Sequence, residues 1–209
     1  MNQFDQIPAE FEVVKDYDEH ILWNGKPSFV PFLAQGIPFL LIGLVWGAFD
    51  YFFVMSILND GFGGMSTFLI PFMLVHLFPF WGSILNMFRL ALVYKNVSYA
   101  ITTKRVMLRS GFFGIDFKAV DFDMIQNMEV NVGPLEKLFN VGSIRLFSGE
   151  AMSTKNGMRS MYDTFKAIEN PYGVFKQLKQ VSMDIRSDLN YPNQYRPEEN
   201  QGYRTKYKG

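Results

Sequence analysis

The chain has 209 residues, twenty cationic and twenty anionic side chains and no cysteine, which excludes disulfides, thiolate nucleophiles and zinc–sulfur sites. The zero formal charge conceals a split. Residues 1–88 carry two basic and eight acidic side chains, and residues 89–209 carry eighteen basic and twelve acidic, so the two halves are suited to different surroundings. The two histidines, His20 and His76, are too few and too far apart for a histidine-based metal cluster, and no metal or other cofactor is expected.

Residues 1–26 form an acidic N-terminal segment that includes Asp16, Asp18 and Glu19. The stretch that follows, residues 27–88, holds only Asp50 and Asp60 as charged groups and more than half of the 22 phenylalanines. Two runs within it, Pro27 to Phe49 and Gly61 to Phe88, contain no formal charge. About 20 apolar residues in a helix cross a hydrocarbon core about 30 Å thick, and neither run offers the polar face that a soluble core helix needs. The expectation is a transmembrane helical hairpin, with spans at about 29–57 and 66–88 joined by the turn Ile57 to Gly64. A signal peptide fits the first run poorly, because acidic residues precede it and no small-residue cleavage site follows.

Orientation follows from the cations. The inter-span turn has none, Lys15 and Lys26 precede the first span, and Arg89, Lys95, Lys104, Arg105 and Arg109 follow the second before any acid appears at Asp116. The positive-inside rule then places both termini and the C-terminal part in the cytoplasm, as a multi-pass protein of the cell membrane. Within the spans, Gly43 and Gly47 form a GxxxG pattern suited to close helix packing, within the hairpin or between copies. His76 is polar at mid-span depth; with no carboxylate expected nearby, it is assigned a hydrogen bond to an oxygen of the first helix, and Asp50 is placed near the far interface. Pro38, Pro71 and Pro79 are expected to kink the helices.

After Phe88 the pattern changes to short alternating runs. Val97 to Ile101 and Val106 to Ser110 read as strands joined by the tight Thr102-Thr103-Lys104-Arg105 segment. Phe117 to Phe122 and Ile125 to Val132 follow, then a helical turn at Leu135 to Phe139 and a strand at Gly142 to Phe147. Asn156-Gly157 marks a hairpin whose second strand runs from Met158 to Phe165. Asn170-Pro171 caps a closing amphipathic helix to about Ile185, with Val174, Phe175, Leu178 and Val181 on its apolar stripe. Residues 187–209 are rich in Asn, Gln, Tyr and Pro and lack Ile, Val and Phe, which reads as a disordered polar tail.

Three stretches, YAITTKRVMLRSGFFG, MIQNMEVNVGPLEKLFNVGSIRLFSG and FKAIENPYGVFKQL, preceded by the lead-in ILWNGKPSF, together resemble the bacterial pleckstrin-homology-like membrane proteins over about residues 20–183. The resemblance implies an α+β membrane protein: a transmembrane hairpin, then a bent antiparallel sheet or barrel over residues 89–186, closed by the C-terminal helix. It implies no catalytic activity, and no P-loop, nucleophile elbow or zinc-protease motif is present in the sequence. The implied role is a non-catalytic scaffold that binds a protein partner or assembles with itself at the inner leaflet, with no nucleic acid involved. The alternative is a module for anionic lipid headgroups, contacted through Lys104, Arg105, Arg109, Arg89 and Lys95; an accessory subunit of a transporter or channel ranks below both.

Overall fold

Helix α1 (Ala9–Val14) buries Phe11 completely, and strand β1 (Ile21–Gly25) follows it. In the computed structural model, which describes residues 8–60, 66–155 and 157–190, β1 pairs antiparallel with β2 (Ser98–Thr102), Trp23 lying opposite Ile101 and Gly25 opposite Tyr99. All five residues of β2 are buried, and a partner on each side spares it the cost of an open edge. The acidic N-terminal segment is thus part of the sheet unit. The chain forms two compact units, Met1–Pro31 with Asn96–Gly209 and Phe32–Lys95, so the apolar helices are an insertion between β1 and β2.

In the sheet unit, β2 pairs with β3 (Arg105–Ser110) and β3 with β4 (Asp116–Asp121), completing a four-stranded antiparallel sheet in the order β1-β2-β3-β4. Hydrogen bonds from Met124 N–H to the Asp121 carbonyl and from Ile125 N–H to the Phe122 carbonyl then turn the chain. Strand β5 (Asn127–Asn131) therefore starts a second sheet, β5-β6-β9, with β6 (Val141–Phe147) in its centre and β9 (Asp163–Glu169) beyond. The short helix α6 (Pro134–Leu138) connects β5 to β6. Strands β7 (Ala151–Thr154) and β8 (Gly157–Ser160) pair only with each other among the described residues. No closed barrel forms among those residues, and the single strand expected from Met158 to Phe165 is two, β8 and the start of β9. The expected hairpin is present, although Asn156 itself lies outside the described residues.

Aromatic packing joins the two sheets. Phe165 of β9 stacks on Tyr99 of β2 with ring centroids 4.6 Å apart, and on Trp23 of β1 at 5.8 Å. Burial pushes the Tyr99 hydroxyl well above its ordinary pKa, and as a neutral group it accepts the Lys166 N–H at 3.0 Å. Helix α7 (Pro171–Asn190) covers β5 and β6, burying Val174 and Leu178. Asn170 caps it, its side-chain oxygen accepting the Gly173 N–H at 3.2 Å. The helix runs through residues 187–190, expected to begin the disordered tail; residues 191–209 lie outside the described residues.

The inserted unit comprises the second half of α2 (Phe29–Ala34), with α3 (Ile37–Asp60), α4 (Ser66–His76) and most of α5 (Phe78–Asn96). The expected span 29–57 is two helices, because Pro38 has no N–H for the Ala34 carbonyl and the chain breaks at Gln35–Gly36. The expected span 66–88 is likewise divided at Leu77, where Pro79 leaves the Val75 carbonyl without its helical partner. Among the described residues one helix is long and apolar enough to cross a membrane: Ile37–Ser56 of α3, with mean hydropathy 1.9 and 11% of its apolar window buried. Helix α4 has 11 residues, and α5 carries Arg89 and Lys95, so neither qualifies. The inter-span residues 61–65 lie outside the described residues.

Candidate functional site

The turn between β2 and β3 is built around one hydroxyl. Thr102 is fully buried, and its Oγ1 accepts the N–H groups of Lys104 at 3.1 Å and Arg105 at 2.9 Å, the local bonding that suits threonine to turns. Its proton goes to Glu19 Oε1 at 2.5 Å. Glu19 is itself fully buried; its second oxygen accepts the Asp16 N–H at 2.9 Å, and the Arg105 Nε lies 3.3 Å from its first. His20 and Thr103 bond reciprocally, the Thr103 N–H to the His20 carbonyl and the His20 N–H to Thr103 Oγ1.

Around this buried carboxylate the exposed charges are matched. Lys104 Nζ reaches Asp18 at 2.6 Å and Asp16 at 3.3 Å, and Arg105 donates to Asp16 at 2.5 Å. The Lys104 bond, aided by its own backbone amide, holds the Asp18 carboxyl below the ordinary range, and Asp18 first and then Asp16 raise the Lys104 ammonium. Arg109, four residues further along β3, donates to Glu10 Oε1 at 2.8 Å and to the Asn96 carbonyl at 3.0 Å. A bond from its own backbone and the Arg109 charge keep Glu10 low.

Three of the five cations singled out in the sequence, Lys104, Arg105 and Arg109, are therefore brought together on one hairpin and neutralised from within the chain. The other two are not part of this cluster. Arg89 on α5 is exposed and bonds Asn86 Oδ1 at 3.0 and 3.2 Å; Lys95 is exposed, with no ion pair among the described residues. The partners that sequence reasoning missed are Glu10, Asp16, Asp18 and Glu19. Their trace was visible in the charge split, an acidic surplus before the helices against a basic surplus after them.

A family model described as Bacterial PH domain matches residues 32–170, more than half of the chain. The chain belongs to that family. Among solved structures, a DUF1696-family protein with a pleckstrin-homology domain, from Shewanella loihica PV-4, is 15% identical over 41% of this chain and 71% of its own, with a TM-score of 0.30. No curated protein matches.

In this bacterial PH domain chain a second charge cluster lies across the sheets. Lys118 of β4 contacts Glu150 at 2.8 Å and Asp163 at 3.0 Å. Burial works against its charge, but bonds to the two carboxylates outweigh it and raise its pKa. Within the inserted helices, Gly43 and Gly47 of α3 face the start of α5. A Cβ on Gly43 would collide with the Ser83 hydroxyl and lie 3.0 Å from the Pro79 carbonyl oxygen, and one on Gly47 would lie 2.7 Å from the Phe80 ring. The GxxxG face is thus occupied by the chain's own α5. The helices also hold the hydrogen bond expected from His76 to an oxygen of the first helix, and its partner is Asp50, which was expected near an interface and is instead 2% exposed. Among the described residues no group of three or more metal-ligating side chains occurs.

Proposed function

We propose that this bacterial PH domain protein is a membrane-anchored, non-catalytic scaffold, whose sheet unit binds a protein partner or a second copy at the inner leaflet. In this reading both termini are cytoplasmic, α3 crosses the bilayer, and the helices that follow return the chain to the same side. Support for the anchor comes from α3, whose Val45, Phe49 and Phe52 are all more than half exposed; such an apolar surface needs lipid or another helix to cover it.

The observation that carries the choice of scaffold over headgroup module is the neutralised hairpin. Lys104, Arg105 and Arg109 each have a carboxylate within 3.3 Å, so an anionic headgroup has to displace a built-in acid before gaining its own contact. The outer strands of the two larger sheets, β1 and β4 and β5 and β9, need no such exchange to accept a strand.

Cross-linking of the full chain in native membranes tests this reading. Adducts larger than the monomer are expected, and they should survive Lys104→Glu with Arg105→Glu. Recovery of monomer alone would overturn it, as would strict dependence of membrane-surface binding on those two cations.

A further inference from the structure

Residues 8–18 are held against the four-stranded sheet by side chains. Among the described residues their backbone hydrogen bonds are local: the Phe11 N–H to the Pro8 carbonyl, the Lys15 N–H to the Phe11 carbonyl and the Asp16 N–H to the Glu19 carboxylate. The first backbone bond to the sheet comes later, from the Thr103 N–H to the His20 carbonyl, where β1 enters its ladder. Glu19, fully buried against Thr102, fixes the chain at that point. Residues 8–18 therefore form a strap that detaches by giving up its side-chain contacts and the Asp16–Glu19 turn, with no strand disturbed.

Two features of the sheet hold the strap. Phe11 fills a pit formed by Ala100 and Met107, with Ile21 and Phe117 packed against it, and its ring meets that of Phe117 edge to face at 5.7 Å. Three carboxylates then match three cations: Glu10 meets Arg109 at 2.8 Å, Asp16 meets Arg105, and Asp18 meets Lys104 at 2.6 Å. The rest of the strap is weakly attached. Val13, Val14 and Tyr17 are exposed, Pro8 supplies no side-chain cap, and the six residues of α1 are too few to stay helical away from the sheet. The ion pairs are open to solvent, so each adds little to the hold.

The site under the strap selects its occupant by two criteria at once, an aromatic anchor for the pit and acids at set positions around it. A headgroup supplies charge without the anchor, and an acyl chain supplies neither ring nor acid. Residues 8–18 of a second copy supply both at the same spacing, and an exchanged pair keeps every contact that each chain gives up. We infer that the strap is exchanged between copies, the pit and cations of each chain taking residues 8–18 of the other. This contact goes beyond the sheet edges of the scaffold reading and is separate from them, because it depends on Lys104 and they do not. The tether favours the strap's own sheet in dilute protein, so exchange grows as copies become concentrated.

Carbodiimide, which joins amines to carboxylates in direct contact, reads the exchange through Lys104 and Asp18. Full-length protein of natural isotopic composition and a heavy-isotope-labelled batch are mixed in detergent and reconstituted together into vesicles of phosphatidylethanolamine and phosphatidylglycerol. After digestion, the peptide pair joined through Lys104 and Asp18 is weighed by mass spectrometry. Exchange gives pairs of mixed isotope, up to about half of the product when every strap is exchanged at random, and their share rises with the ratio of protein to lipid. A strap that stays on its own sheet gives none.

A mixture of Lys104→Glu chains with Asp18→Lys chains supplies a second reading, since an amine faces a carboxylate across positions 104 and 18 only between unlike chains. The joined product should form in the mixture and be absent from either variant alone. Adducts larger than the monomer with single-isotope product, and no 104–18 product from the variant mixture, would overturn the exchange and leave the sheet-edge scaffold standing. Monomer alone, again with single-isotope product, would overturn the exchange and sheet-edge self-assembly together. Absence of the joined pair in every isotopic form would deny the contact itself and overturn the exchange as well.

Discussion

Asp50 Oδ1 and His76 Nδ1 lie 2.9 Å apart and join α3 to α4 inside the apolar helical unit. Asp50 is almost wholly buried, and its Oδ2 has no hydrogen-bond partner among the described residues. The His76 ring lies between Trp46 and Phe72, at centroid distances of 5.0 and 5.2 Å, and the Trp46 indole N–H donates to the His76 carbonyl at 2.9 Å.

Removing one member of this pair strands the other. His76→Ala is expected to destabilise the helical unit by about 3–5 kcal/mol, because the buried carboxylate loses its partner. Replacing both, as Asp50→Leu with His76→Leu, should recover most of that loss, since no unpaired charge remains. Unfolding of the purified protein in detergent micelles reads both. A double variant no more stable than the single one would show that the pair does not act as a unit.

Thr102 organises its turn and binds Glu19 through one oxygen, so Thr102→Val removes an acceptor for two N–H groups and a donor to a buried carboxylate. A loss of about 1–3 kcal/mol is expected, with Thr102→Ser retaining most of the stability. Denaturant midpoints of the two variants measure the difference.

The pair of Asp18 and Lys104 has a pH window set from both sides. Asp18 is lowered in the folded protein, so its contribution is present above its ordinary value of 3.8 and is lost as pH falls through the folded value. Lys104 is raised, so its contribution is complete below 10.5 and is lost as pH rises through the folded value. The contact between the N-terminal segment and the hairpin should hold across neutral pH and loosen at both extremes. Both groups are exposed, so added salt should weaken it as well. Amide exchange over residues 15–20, followed against pH and ionic strength, reports this directly; a flat response would deny the pair any role.

Gly43→Ala forces a methyl group into Ser83 and should cost about 1–3 kcal/mol through parting of α3 and α5. Gly82→Ala is the matched control. Its new Cβ meets only the Phe39 ring, at 3.9 Å, and alanine favours the helix by about 1 kcal/mol. Equal behaviour of the two variants in a thermal melt would contradict the packing described for α3 on α5.

Much of this architecture was legible locally. The Asn170-Pro171 cap, the glycine-bounded loop after β3, the tight turn at Thr102 to Arg105 and the strands on either side of it depend on residues a few positions apart, whose chemistry a sequence displays. The apolar character of α3 was equally plain. The length of the second run was misleading, because Pro79 divides it at Leu77 and only the local backbone geometry reveals where.

Tertiary structure decided what pairs with what. Glu19 and Thr102 are 83 positions apart, and Asp50 and His76 are 26 apart. In the sequence those acids read as a segment before the helices and as a charge near an interface. Alternation and composition by themselves determined that the chain has an apolar helical part and a sheet part. They could not determine that β1 crosses the whole insertion to pair with β2, because strand pairing depends on long-range register and on which buried faces match. That pairing carries the acidic segment onto the basic hairpin, and so decides that the cations are already held by the chain itself.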